Sequence, residues 1–250
     1  MTITRVFDRV YIPRQKATQR FHLLSDALAE AEKSLTPAQE LALSRGWKHH
    51  TPGPILDQGQ EGACTGFAAA GVVNCGPRTH KPSLTNTQAR GLYKLAQRFD
   101  EWPGDAYEGS SVDGTALALR SLGRITKFEW ARDIETGVRA VLIKGPTMLG
   151  VDWTSGMMGA DADGFIRATG DVVGGHAIAW VGVNRKAEYR RPQSSAMLKG
   201  WAKLQQSWGV SRGRRGFVFI PLEDLARLIA GIDYPGEVCS IEETRATIVL

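Results

Sequence analysis

The chain has 250 residues, 42% of them hydrophobic and 23% charged, which supports one large folded unit or two coupled lobes and excludes a disordered polymer. Three cysteines, an odd number, and no leading apolar stretch suited to secretion or membrane spanning argue against a disulfide framework and for synthesis in a reducing cytosol. The net charge of +5 reflects basic residues gathered between Arg185 and Arg215, and with no base-reading motif beside them a solvated loop is expected rather than a nucleic-acid partner.

In chain order, Met1 to Arg20 reads as an extended arm, Phe21 to Ala31 carries leucines and alanines at helical spacing, and Thr36-Pro37 starts a second short helix. Residues 1–45 are therefore expected to form an N-terminal arm that packs on the domain or on an assembly partner. Thr51-Pro52-Gly53-Pro54 delivers an extended chain to Gln58-Gly59-Gln60-Glu61-Gly62-Ala63-Cys64, a glycine-rich turn before a small-residue helix. Amides at a helix start, with the positive end of its dipole, favour a thiolate over a thiol, which marks Cys64 as a nucleophile. A cysteine there also serves as a small buried apolar residue. Gln58 can return beside the sulfur and, with the Cys64 backbone N–H, donate to the oxyanion that forms when a carbonyl is attacked. Cys75 ends the same apolar helix and, like Cys239, is expected to be inert.

Thr87 to Phe99 reads as a helix, and a second runs from Asp113 to Leu122 behind Tyr107-Glu108-Gly109-Ser110-Ser111-Val112, where Ser110 or Ser111 suits a helix N-cap. Ile134 to Ile143 follows as a helix and Pro146 to Trp153 as a strand. Asp161-Ala162-Asp163-Gly164 fits a tight turn, and together with His49-His50 and His80 it completes no metal-ligand spacing. The pair Gly174-Gly175 leads into His176 to Val183, an apolar run of buried-strand length with the histidine at its mouth. That makes His176 the candidate base for Cys64. Leu198 to Trp208 and Phe217 to Ile220 are further strands, and Leu222 to Ala230 is a helix stopped by Gly231. In Gln206-Ser207-Trp208-Gly209 a side-chain amide can accept the histidine's other N–H while the tryptophan shields that bond.

Taken in order, Gln58, Cys64, Gly175-His176 and Ser207-Trp208-Gly209 resemble a papain-like cysteine peptidase from about Trp47 to Leu222. The resemblance implies an α+β, two-lobed fold, with a mainly helical lobe and an antiparallel β-barrel-like lobe about a substrate cleft. On this reading a catalytic domain spans residues 46–250, with the helical lobe at about 55–143, the β lobe at about 144–222 and a C-terminal extension at 223–250. The implied activity is thiol-dependent cleavage of peptide bonds, without a cofactor or metal, in a peptide or protein substrate. The implied catalytic residues are Cys64, His176, Gln206 and Gln58. Gly109 and Ser110, with Gly175 and Trp208, are the implied substrate-binding positions. The Gly109-Ser110 pair is similar to bacterial and phage branches of the family, where such a pair replaces the Gly-Gly strip that pairs with extended substrate.

Four features depart from the family pattern. Gln206 stands where asparagine is usual, Glu61 stands where a disulfide cysteine is usual, and Thr65 replaces an aromatic residue. Cys64 and His176 are 176 − 64 = 112 residues apart, closer than the family's spacing of about 130 to 150. Two other readings therefore stand beside peptide hydrolysis: acyl transfer to an amine, and a papain-like scaffold kept as a structural or interaction module, for instance in a phage particle.

Overall fold

The computed structural model describes residues 23–75, 82–100, 108–190 and 197–243. The extended arm expected over Met1 to Arg20 lies outside them. The helices are α1 (Leu24–Ala31), α2 (Pro37–Arg45), α3 (Cys64–Asn74), α4 (Asn86–Gln97), α5 (Val112–Ser121), α6 (Ile134–Ile143) and α7 (Leu222–Ala230). The strands are β1 (Trp47–His49), β2 (Ile125–Ala131), β3 (Thr147–Thr154), β4 (Val172–Arg190), β5 (Met197–Gln205), β6 (Phe217–Pro221) and β7 (Glu237–Glu243). No helix among the described residues is long and apolar enough to cross a membrane.

Local chemistry explains the helix starts. Thr36 and Thr85 each close a capping box, with Gln39 and Gln88 respectively, and the Asp133 side chain accepts from the Thr136 amide ahead of α6. Ser111 caps α5 by accepting from the Gly114 amide at 2.8 Å while its hydroxyl donates to Asp100. Helix α3 differs: all eleven of its residues are buried, as expected for a helix apolar on every side.

The strands form one antiparallel sheet in the order β2-β7-β3-β4-β5-β6, with β1 beside the far half of β4. Strand β4 is the spine. Residues 172–180 pair with β3 and residues 182–184 with β1, while β5 runs along the opposite edge. It is much longer than the eight residues expected from His176 to Val183, because Gly174-Gly175 continues the strand and its far end pairs with β5 through Arg190. Strand β5 ends at Gln205, short of the Trp208 expected from sequence. Strands β2 and β7, both unanticipated, pair with each other, and β7 also pairs with β3. The C-terminal extension thus contributes α7 and an inner strand of the sheet.

Two cores lie on opposite faces of the sheet, as strand alternation requires. Met148, Ala177, Ala179, Val181 and Cys239 pack with α3, α4 and α5. Leu149, Val151, Trp153, Ile178 and Trp180 pack with α1, α6 and α7. Leu24 and Leu28 of α1 are fully buried in this second core, and Gln39 of α2 donates to the Ile143 carbonyl at 2.7 Å, so residues 23–45 are built into the domain. Helix α6, placed with the helical lobe by its position in the sequence, also belongs to this core. Helices α3 and α4 cross with no slack, since a Cβ on Gly66 would lie 2.3 Å from the Ala89 carbonyl oxygen.

The second core is tied to the long loop before β4 by a buried charge. Asp224 of α7, 1% exposed at its side chain, accepts from Arg167 Nε at 2.7 Å and Arg227 Nη2 at 2.9 Å. Burial by itself would raise the Asp224 pKa, but the hydrogen bonds and charges of Arg167 and Arg227 outweigh it and hold the carboxyl below its ordinary range. Asp224→Ala is expected to destabilise the fold by about 2–3 kcal/mol, less than a fully buried pair because Arg227 is largely exposed. A carboxyl whose folded pKa is depressed contributes above its unfolded value, near pH 3.9, and that contribution is lost as pH falls through the folded value. Thermal unfolding of both proteins should therefore differ at neutral pH and converge in acid; equal melting temperatures at pH 7 would refute the assignment.

Candidate active site

Cys64 is the first residue of α3, and the preceding Ala63 provides no side-chain cap, so the helix directs its positive end at the sulfur. The Ala177 amide of β4 also points at it, donating to Cys64 Sγ at 3.4 Å. Helix and strand thus bring positive potential to one atom, and His176 is the neighbour of the donating residue. Cys64 and His176 are both fully buried.

His176 lies across from Val151 of β3, on the face that also carries Trp153. Trp153 meets the imidazole edge to face at 4.8 Å, Trp208 lies against it at 4.7 Å and 32°, and the two indoles contact each other at 5.6 Å. All three rings are 0% exposed, so the imidazole is held in one orientation and shielded from water. Trp208 thus packs on the imidazole, as expected of a residue that shields it. Asp152 steadies this end of β3: its Oδ2 accepts from the amides of Ile232, Asp233 and Tyr234 at 3.2, 2.8 and 2.9 Å.

The Gln58 loop is joined to the Ser207-Trp208-Gly209 turn like a short strand pair. The Gln58 amide donates to the Ser207 carbonyl at 2.8 Å, and the Gly209 amide donates to the Leu56 carbonyl at 3.2 Å. Gly209 adopts φ +76°, and a Cβ there would lie 2.8 Å from Asp57 Oδ2, so glycine is required. Ser207 Oγ donates to Gln58 Oε1 at 2.5 Å, and Gln58 Nε2 donates to the Glu61 carbonyl at 2.9 Å. Because the Glu61 carbonyl only accepts, the nitrogen end of the Gln58 amide faces it, and the second N–H remains for another acceptor.

The expected bond from His176 to Gln206 is not formed. Gln206 is anchored by its backbone N–H to the Gly216 carbonyl at 2.8 Å, but its buried side-chain amide makes no hydrogen bond among the described residues. The longer glutamine side chain, one methylene beyond asparagine, carries the amide away from the position a shorter side chain would hold.

Gly109 has its N–H on the Tyr93 hydroxyl at 3.2 Å and its carbonyl on Gln97 Nε2 at 3.2 Å, with φ +92°. Both of its backbone polar groups therefore bond to side chains of α4. Ser110 is fully buried beside it, and Gly175 is half-buried opposite Asp152 in the sheet.

The other two cysteines are held as thiols. Burial pushes the Cys75 thiol up to about 12 despite the charge of Lys203, and burial among acidic neighbours raises Cys239 well above its ordinary value. No group of three or more His, Cys, Asp or Glu among the described residues is placed to hold a metal. His50 Nε2 donates to the Val141 carbonyl at 2.7 Å, and Asp161 Oδ1 accepts from the Asp163 and Phe165 amides to close a turn.

Sequence reasoning gave no role to Trp153, Tyr93, Gln97, Arg90 or the Ser207 hydroxyl. Trp153 had a usable signal, since it ends a strand whose period-2 pattern puts it on the face of Val151.

No family model matches the chain, and no curated protein matches it in sequence. Solved structures do match it in fold. Xylellain, a cysteine protease from Xylella fastidiosa, superposes with a TM-score of 0.64 at 16% identity over 98% of this chain and 100% of its own. The bromelain protease of Ananas comosus, in complex with the E64 inhibitor, gives 0.51 at 13% over 78% and 95%. Digestive procathepsin L 3 of Tenebrio molitor larval midgut gives 0.52 at 12% over 94% of each chain. The chain has the papain-like fold, a mixed helical and antiparallel-sheet architecture.

Proposed function

We propose that the chain is a thiol-dependent peptidase in which Cys64 is the nucleophile, His176 the general base and acid, and Gln58 an oxyanion donor. One observation carries this reading: the Cys64 sulfur, at the start of α3, receives an amide from the residue next to His176. The cysteine-protease fold relatives support it, and the E64 complex of one of them supplies a probe.

His176 takes the Cys64 proton, the sulfur forms a bond to the substrate carbonyl carbon, and the carbonyl electron pair moves onto oxygen. The oxyanion accepts from the Cys64 N–H and the remaining N–H of Gln58 Nε2. Collapse restores the carbonyl and breaks the C–N bond, His176 gives its proton to the leaving amine, and a thioester remains. Water, deprotonated by His176, attacks the thioester, and the C–S bond breaks to return the thiol.

The test is intact mass after exposure to E64 near neutral pH. One adduct is expected on the wild type, none on Cys64→Ala, and a much slower one on His176→Ala. If Cys64 reacts no faster than Cys75 and Cys239, the peptidase reading fails and the structural-module reading replaces it.

A further inference from the structure

The Gln58 loop is also gripped from α4, by residues outside the reacting set. Asn86 Oδ1 accepts from the Asp57 amide at 3.0 Å at the start of that helix. One turn later, on the same face, Arg90 Nε donates to Glu61 Oε2 at 2.9 Å and Arg90 Nη2 to the Gln58 carbonyl at 3.5 Å. The same guanidinium lies over the Phe67 ring at 5.7 Å, one turn along α3 from Cys64. Arg90 therefore touches both ends of the loop segment 58–61 and the helix that carries the nucleophile. Its partner Glu61 is the residue whose carbonyl holds Gln58 Nε2. The seat of α4 is fixed independently by the close backbone contact at Gly66.

Resting on the peptidase reading, we propose that Arg90 is a positioning residue for the oxyanion donor, and that the Arg90–Glu61 ion pair does by charge what the resemblance assigns to a disulfide at position 61. A chain held this way keeps its loop in reducing surroundings. The pair is about one-third exposed on each side, so it is also sensitive to salt.

A displaced Gln58 weakens only adducts whose former carbonyl oxygen sits against its N–H donor, so two thiol probes separate the effects. A peptide aldehyde forms a hemithioacetal whose oxygen occupies the oxyanion site, whereas iodoacetamide alkylates sulfur by direct displacement and needs no such donor. In Arg90→Ala, aldehyde affinity and kcat are expected to fall by about tenfold to a hundredfold, with KM and the Cys64 alkylation rate within about twofold of wild type. Arg90→Lys should recover part of the loss, since it keeps charge without the forked geometry. Should Arg90→Ala fold poorly, Glu61→Gln and a salt titration of the wild type give the same comparison. Aldehyde affinity unchanged in these variants and in high salt overturns the positioning role, as does a parallel loss of alkylation. A wild type whose Cys64 neither binds aldehyde nor outpaces the other cysteines toward iodoacetamide overturns the peptidase reading itself, and the positioning role with it.

Discussion

His176→Ala should lower kcat for peptide hydrolysis by about 10⁴ to 10⁶, the range expected when a nucleophile loses its paired base. On the proposed mechanism the loss is large because the imidazole acts twice, removing the thiol proton and supplying the proton of the leaving amine. Its environment makes the substitution readable as chemistry, since Trp153 and Trp208 line the same pocket and remain after truncation. Gln206 should behave in the opposite way to a family asparagine. With its amide bonded to nothing, Gln206→Ala removes little and is expected to change kcat by less than about threefold. Gln206→Asn, which shortens the side chain toward the imidazole, should raise kcat several-fold. Steady-state kinetics on the three variants decide this: a loss in Gln206→Ala approaching that of His176→Ala would show that glutamine orients the base after all.

Gln58→Ala is expected to lower kcat by about 10² to 10³, the usual effect of deleting one oxyanion donor. Ser207 Oγ fixes the Gln58 amide oxygen and the Glu61 carbonyl takes one N–H, so the amide is held in place before substrate arrives. The same substitution strands the Ser207 hydroxyl, so a stability loss of about 1–3 kcal/mol accompanies it. Kinetics well below the melting transition, with iodoacetamide alkylation of Cys64 alongside, separate the effects. A fall in kcat below tenfold, or an equal fall in alkylation, would remove Gln58 from the oxyanion site.

Local signals made much of this protein legible from its residues. The helices read at Thr87 to Phe99 and Ile134 to Ile143 match α4 and α6 to within a residue or two, because a helix closes its hydrogen bonds within its own segment. The motif around Cys64 likewise needed only a turn and a helix start. Strands β2 and β7 were missed for the complementary reason: Ile125–Ala131 and Glu237–Glu243 acquire their bonds from each other across more than a hundred residues, and neither declares its partner in sequence.

The site divides along the same line. Residue types and their order marked Cys64, His176 and Gln58, since nucleophile, base and oxyanion donor are defined by chemistry that each side chain carries alone. Tertiary structure decided what those groups touch. It set Trp153 and Trp208 around the imidazole, turned Gly109 toward Tyr93 and Gln97, left the Gln206 amide unbonded and put Arg90 across the Gln58 loop. Those outcomes depend on distances of a few ångströms between segments far apart in the chain, and only the packing of α3 and α4 against the sheet determines them.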